Sequence, residues 1–345
     1  MKPNGASPRA KSGEKLFRKQ LLAWYDAHAR DLPWRKSQDP YRVWVSEIML
    51  QQTRVAAVIE HYHEFLRRFP TVERLAAARE ASVLAAWSGL GYYRRARMLH
   101  AAAKAVAREH GGEFPKTVEA WRDLPGIGRY SAAAIASIAF GEPVAVVDGN
   151  VERVLQRIEG ESISGEQVWE RAEVLLDRAR PGDFNQAMME LGATVCTPRA
   201  PACLTCPVVE LCAARGELAG SSKPAAQKKR EIHYALDCRD GRVMLVQRPK
   251  DAALMPGMWE LPEIPRPRGS DPFLIVKHSI TVTNYAVHVW SMSSPAAGQR
   301  WPKDRLPRLA LTGLAKKILR RGGIFPESAS GPTSSRMSER SLAPQ

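Results

Sequence analysis

The chain has 345 residues, 44% of them hydrophobic, and 51 Lys and Arg against 36 Asp and Glu give a formal charge of +15. That is enough apolar content for globular cores, in a length that permits two domains, and the charge favours a polyanionic partner, although an Arg-rich, Ala-rich composition can also follow from base composition alone. No apolar run approaches a membrane span, MKPNGASPRAKSGEK has no apolar secretory segment, and five cysteines are too few for a disulfide framework, so the expectation is a soluble cytoplasmic protein with no membrane partner.

Residues 1–14 are polar and read as a disordered arm. Leu16, Phe17, Gln20, Leu21, Trp24 and Tyr25 then recur at helical spacing, as a buried face does, until Leu32-Pro33-Trp34-Arg35 breaks the helix. Asp39-Pro40, a capping residue followed by proline, predicts a helix running to about Phe69 with Ile48, Val55, Ile59, Tyr62, Leu66 and Phe69 as its apolar stripe. Glu47, Leu50, Gln51 and Arg54 share another face, which for an isolated segment reads most simply as a solvated ion pair.

Trp87 to Arg97 sets two glycines before Tyr92-Tyr93 and three arginines. Glycines permit close backbone approach, an exposed tyrosine can enter base steps and arginines hold phosphate; a turn with solvated arginines explains the composition equally well. Leu124-Pro125-Gly126-Ile127-Gly128 lies between helical stretches Val118 to Asp123 and Tyr130 to Phe140. It reads as a helix-hairpin-helix, with Gly126, Gly128 and the following helix start offering N–H groups to phosphate. Asp148, in Val146-Val147-Asp148-Gly149-Asn150-Val151, reads as a turn residue or N-cap of a helix through Ile158.

After further helix over 165–195, Cys196, Cys203, Cys206 and Cys212 spell C-x6-C-x2-C-x5-C. Four thiols so close suit one metal centre, and spacing alone leaves zinc and an iron-sulfur cluster both open. SSKPAAQKKR (221–230) is a polar, basic linker. Beyond it the period becomes that of strands at His233 to Asp237, Arg242 to Gln247 and Thr281 to Trp290, with a hairpin at Arg239-Asp240-Gly241 and Cys238 in the core of a strand. From about Pro326 the chain is Ser, Pro and Gly, and reads as a disordered tail over 326–345.

These segments together resemble the MutY group of the endonuclease III superfamily of DNA glycosylases: SEIMLQQTRV (46–55), GLGYY (89–93), LPGIG (124–128), VDGNV (147–151), and FNQAMMELGATVC (184–196) leading into the cysteine loop. The resemblance implies a mainly α helix-hairpin-helix glycosylase domain over 15–220, with the hairpin at about 118–140 and a [4Fe-4S] loop at 196–212. MPGMWELP (255–262) resembles the small α+β Nudix-like domain of that group, here expected over 231–325 and shortened, because only 14 residues separate Pro262 from Lys277 and leave no room for the family's helix. No glutamate-rich box follows Trp259, so Nudix hydrolysis is not implied.

On the resemblance, the activity is hydrolysis of the N-glycosidic bond of adenine mispaired with 8-oxoguanine or guanine in double-stranded DNA, by a nucleoid-associated monomer. Glu47 becomes the general acid and Asp148 the second carboxylate, with Tyr130 and Asn150 orienting them. Trp34, Arg35, Leu50 and Gln186 line the adenine pocket. Gln52 and Tyr92 enter the duplex; Gly126 and Gly128, with a monovalent cation, and Arg199 meet phosphate. The family's 8-oxoguanine-recognition loop aligns with Ile280-Thr281-Val282, where only the Thr281 hydroxyl is kept. Bifunctional relatives carry a lysine where Tyr130 stands, so base removal without strand cleavage is expected. Two alternatives stay open: an endonuclease III-like enzyme for oxidised pyrimidines, and a non-catalytic iron-sulfur protein that binds mismatches.

Overall fold

The computed structural model describes residues 8–218, 228–280, 283–294 and 297–325. Thr281, residues 221–227 of the expected linker and the expected tail at 326–345 lie outside them. The chain divides into two compact units with the boundary between Gln227 and Lys228.

The first unit is helical: α1 (Pro8–His28), α2 (Pro40–Leu50), α3 (Val55–Arg68), α4 (Val72–Ala76), α5 (Glu80–Trp87), α6 (Arg94–Glu109), α7 (Val118–Arg122), α8 (Arg129–Phe140), α9 (Gly149–Glu159), α10 (Glu166–Leu175) and α11 (Pro181–Thr194). Helix α1 begins at Pro8, so residues 8–14, expected in the arm, are helical; Phe17, Leu21 and Tyr25 are buried as expected, whereas Leu16 is exposed. The long helix expected from Asp39 to Phe69 is two helices. Asp39 caps α2 by accepting from the N–H of Tyr41 (2.8 Å) and Arg42 (3.2 Å), but the helix ends at Leu50, with Gln51 extended at ψ 116° and Gln52 left-handed at φ 54°, before Arg54 stands as N-cap of α3. The break resets the helical phase, so the buried positions of α3 are Val58, Tyr62 and Phe65 rather than Val55, Ile59 and Leu66.

Two cores support this unit. Trp44 and Trp121, both fully buried with ring centroids 5.7 Å apart, join α2 to α7. Phe17 and Leu21 of α1 meet Val154 and Leu155 of α9 and Phe184, Met188 and Leu191 of α11 in the other. The hairpin between α7 and α8 is as predicted. Gly126 stands at φ 76°, and a Cβ there would fall 2.4 Å from the Met98 Cβ, so only glycine fits.

The second unit holds β1 (Lys228–Ala235), β2 (Cys238–Arg239), β3 (Arg242–Gln247), β4 (Trp259–Glu260), β5 (Leu274–Ile280), β6 (Thr283–Trp290), β7 (Gln299–Pro302) and α12 (Gly313–Arg321). Residues 228–230, expected in the linker, already belong to β1, which runs parallel to β6; β6 pairs antiparallel with β5, a strand the sequence pattern did not suggest. The second sheet runs β2-β3-β4 with β7 on β3. Asp240 and Gly241, at φ 48° and 70°, form the expected hairpin turn between Arg239 and Arg242. Residues 261–273 contain no helix, in line with the short spacing there. Cys238 is half-buried rather than in the core, because β2 has only two residues and ends at that turn.

Candidate active site and thiol loop

Glu47 sits in mid-α2, buried, and its Oε2 accepts a hydrogen bond from the Tyr130 hydroxyl of α8 at 2.9 Å. Burial is the main force on its carboxyl and raises it to about 7; the Tyr130 hydrogen bond and Arg35 work against the rise, and the charge of Asp148 adds to it. A solvated Glu47–Arg54 pair is therefore not what forms, since Arg54 belongs to the next helix. Burial likewise pushes the Tyr130 hydroxyl well above its ordinary range, so it remains a donor at every working pH.

Asp148 is at once N-cap and candidate carboxylate. Its Oδ1 accepts from the N–H of Asn150 (2.9 Å) and Val151 (2.8 Å), and its Oδ2 accepts from the Asn150 side-chain amide (2.9 Å). Three donors at the first turn of α9 thus converge on this one carboxylate. The approach to Asp148 is fixed by buried Asn185 of α11, which accepts from the Val146 N–H (3.1 Å) and donates to the Val144 carbonyl (2.9 Å) and Ser137 Oγ (3.0 Å). Gly192 lets α11 lie against this site, for a Cβ there would stand 2.7 Å from the Asn150 Cβ.

Trp34, Arg35 and Gln186 line one cavity of about 210 Å³ with Gln38, Ile138 and Asp183. Leu50 and Glu47 are not in its wall; Leu50 ends α2, one turn past Glu47. Arg35 stacks 5.4 Å from the Tyr25 ring and donates to Glu190 Oε2 at 2.9 Å, while Arg30 donates to both Glu190 oxygens at 2.6 and 2.7 Å. Burial alone would raise the Glu190 carboxyl, but the bonds from Arg30 and Arg35 outweigh it and hold it at about 2. Because this folded-state value lies below the ordinary one, the ion pairs stabilise the protein above about pH 4.5 and that stability is lost as the pH falls towards 2. Replacing Glu190 with Ala strands two guanidinium groups, of which Arg30 is the more exposed. It is expected to cost roughly 2–4 kcal/mol, read as a shift in urea midpoint at pH 7. The sequence pattern did not single out Glu190, Arg30, Asn185 or Arg153; an acid inside the apolar run MMELG is the signal that could have exposed the first.

Gln52 and Tyr92 are both exposed, on separate loops, at φ 54° and 45°. Gly128 is exposed and is the N-cap of α8, and Arg199 is exposed in the cysteine loop.

The four cysteines are half-buried and free of disulfides, and Cys196 and Cys206 pack on the α1–α9–α11 core. Short 3-10 turns at Cys203–Thr205 and Val209–Leu211 fold the loop. Arg157 of α9 ties its two ends: its guanidinium donates to the Cys196 Sγ (3.3 Å) and the Thr197 carbonyl (2.7 Å), and its own carbonyl accepts from the Cys212 thiol (3.2 Å). Burial raises the Cys206 thiol, and the other three thiols raise it further, so all four lie within electrostatic reach. Among the described residues no group of three or more His, Cys, Asp or Glu stands ready-made around a metal. The donor set is nonetheless four soft thiols without a carboxylate, with the buried Arg157 guanidinium donating to one of them, and it fits a thiolate-held cluster. Arg153 spans the remaining gap, donating to the Cys196 carbonyl (2.9 Å), the Gly192 carbonyl (2.7 Å) and Asn150 Oδ1 (2.9 Å).

Known proteins resemble this chain over most of its helical unit. Residues 45–177 match the family described as "HhH-GPD superfamily base excision DNA repair protein". Human adenine DNA glycosylase is 41% identical over 313 residues, 72% of this chain and 57% of the human protein. The Mycobacterium tuberculosis adenine DNA glycosylase is 45% identical over 195 residues, 54% of this chain and 64% of that protein. The chain thus spans between 41% and 65% of the length of the curated relatives it is compared with. Among solved structures, a thermostable thymine-DNA glycosylase is similar with a TM-score of 0.57 at 32% identity, over 60% of this chain and 98% of that one. Endonuclease III in a non-covalent DNA complex shares the fold, with a TM-score of 0.53 at 22% identity over 59% of this chain and 96% of that one.

Proposed function

Because the chain belongs to the HhH-GPD superfamily of base excision DNA repair proteins, we propose that it is an adenine DNA glycosylase, hydrolysing the N-glycosidic bond of adenine opposite 8-oxoguanine or guanine in duplex DNA. The observation that carries this reading is a pair of carboxyl groups in contrasting surroundings: Glu47, buried and raised to about 7, and Asp148, which accepts hydrogen bonds from three donors at the start of α9.

Adenine stacked in a duplex is out of reach, so the nucleotide has to leave the stack. Glu47 in its protonated form would give its proton to adenine N7, because adenine leaves poorly as an anion. Tyr130, bonded to one Glu47 oxygen, leaves the other free to hold that proton. As the bond breaks, positive charge grows on the sugar and Asp148 offsets it electrostatically or as a covalent partner; water then adds to C1′, giving its proton to the now ionised Glu47 and releasing Asp148 from any adduct. Trp34, Arg35 and Gln186 would bind the extruded base, and the Leu124–Gly128 hairpin, with a monovalent cation, and Arg199 would hold phosphate.

Cys196, Cys203, Cys206 and Cys212 would hold a [4Fe-4S] cluster, which when bound cross-links the loop bearing Arg199 and supplies no step of the hydrolysis. Damage recognition would fall to the second unit, where Thr281 keeps only a hydroxyl.

Tyr130 occupies the place from which an amine would attack the sugar. Purified protein is therefore expected to leave abasic sites whose strands break only after alkali. Untreated duplex that nicks at the same rate would instead favour the endonuclease III-like reading, and no abasic sites at all would favour a non-catalytic binder.

A further inference from the structure

Among the exposed side chains on backbone that L residues disfavour are two on neighbouring loops, Gln52 at φ 54° and Tyr92 at φ 45°. Such conformations persist only where the surroundings over-determine them. One side chain reaches both loops. Arg95, half-buried near the start of α6, places Nη1 against the last carbonyls of α2, at 2.8 Å from Ile48 O and 3.0 Å from Met49 O, and also against Gln51 O. Its Nη2 donates to Thr53 Oγ1 at 2.9 Å and reaches Leu90 O at 3.3 Å and Gly91 O at 3.5 Å on the other loop. The same guanidinium lies 5.5 Å from the Trp87 ring and 5.3 Å from that of Tyr92.

The Ile48, Met49 and Gln51 carbonyls are those that the end of α2 leaves without intrahelical partners, and with Thr53 Oγ1 they flank Gln52 on both sides. A planar fork can serve acceptors on two loops at once, which a single ammonium cannot reproduce. Burial lowers the guanidinium to about 10, with Tyr92 opposing, so it stays charged at neutral pH.

We propose that Arg95 is a positioning residue that sets the Gln51–Thr53 and Leu90–Tyr92 loops as one unit, so that Gln52 and Tyr92 enter an opened duplex together. The proposal rests on the glycosylase reading above. Arg95 touches no reacting atom; it acts through the two loops, and its loss should be felt as failure to open DNA rather than as failure of proton transfer.

The test uses full-length protein with Arg95→Lys and Arg95→Met, and a duplex carrying 2-aminopurine beside the target adenine. In an Asp148→Asn background base release is slowed enough that early fluorescence, read before any adenine is lost, reports unstacking alone. Arg95→Lys is expected to melt as cooperatively as the parent, lose most of the fluorescence rise, and, with Asp148 restored, release adenine about tenfold or more slowly while keeping the same pH midpoint. Adding Gln52→Ala and Tyr92→Ala to Arg95→Lys should then change the rate less than twofold, because their contribution is already gone. A retained fluorescence rise, losses that multiply, or a Lys and a Met variant that both fail to fold would each overturn the proposal. Absence of adenine release by the unaltered protein would instead defeat the glycosylase reading, while the unstacking signal would still report on Arg95.

Discussion

Glu47→Gln is expected to slow single-turnover base release by roughly 10²- to 10⁴-fold, the range of general acid-base catalysis. Glutamine is nearly isosteric and can still accept the Tyr130 hydroxyl bond, so the loss should not be one of folding. Stability should move the other way. In the unfolded chain the Glu47 carboxyl ionises near its ordinary 4.5, and in the folded one near about 7. The folded state therefore holds a proton that the unfolded state has released, and the stability this gives is fully present below 4.5 and lost as pH rises through 7. The shift corresponds to on the order of 3 kcal/mol, so Glu47→Gln should gain stability over the parent as pH is raised from 4.5 to 8 in urea titrations. The parent's excision rate should fall over the same upper range as the acid loses its proton. A Gln variant that keeps full activity, or is no more stable at pH 8 than the parent, would remove Glu47 from its role.

Asp148→Asn separates the second carboxylate's two tasks. Asparagine is as good an N-cap as aspartate, so α9 should form and the variant should fold. What disappears is the carboxylate that would face the sugar, and removing one such preorganised electrostatic group commonly costs ~10²- to 10³-fold. There is a second signature. The Asp148 charge is one of the forces raising Glu47, so in the variant the residual activity should lose its upper pH limb at a lower pH than the parent. A loss of rate with an unmoved pH profile would mean that Asp148 acts on structure and not on charge.

Much of this was legible in the chain because each piece is local. The hairpin glycines, the Asp39 and Asp148 caps, the Asp240-Gly241 turn and the cysteine spacing are set by a few neighbouring residues, and all appear where the pattern put them. The break at Gln52 was not legible, because no glycine or proline marks it; it depends on Arg95, whose acceptors lie more than forty residues away in sequence. For the same reason the Arg30–Glu190–Arg35 cluster and the Arg153 link from Asn150 to the cysteine loop needed the fold, since each joins side chains from different helices. The roles of Glu47 and Asp148 were readable only through the family resemblance; on composition alone they were a surface pair and a cap. Burial of Glu47 against Tyr130 and the three donors on Asp148 support the roles proposed for them.

The most direct measurement is the identity and rate of the free base released in a single turnover from duplexes pairing adenine with 8-oxoguanine, guanine, cytosine or thymine. Free adenine, released fastest opposite 8-oxoguanine and then guanine and lost in Glu47→Gln, is the predicted result. No adenine from any of the four duplexes, together with release of an oxidised pyrimidine from a lesion-bearing strand, would contradict it.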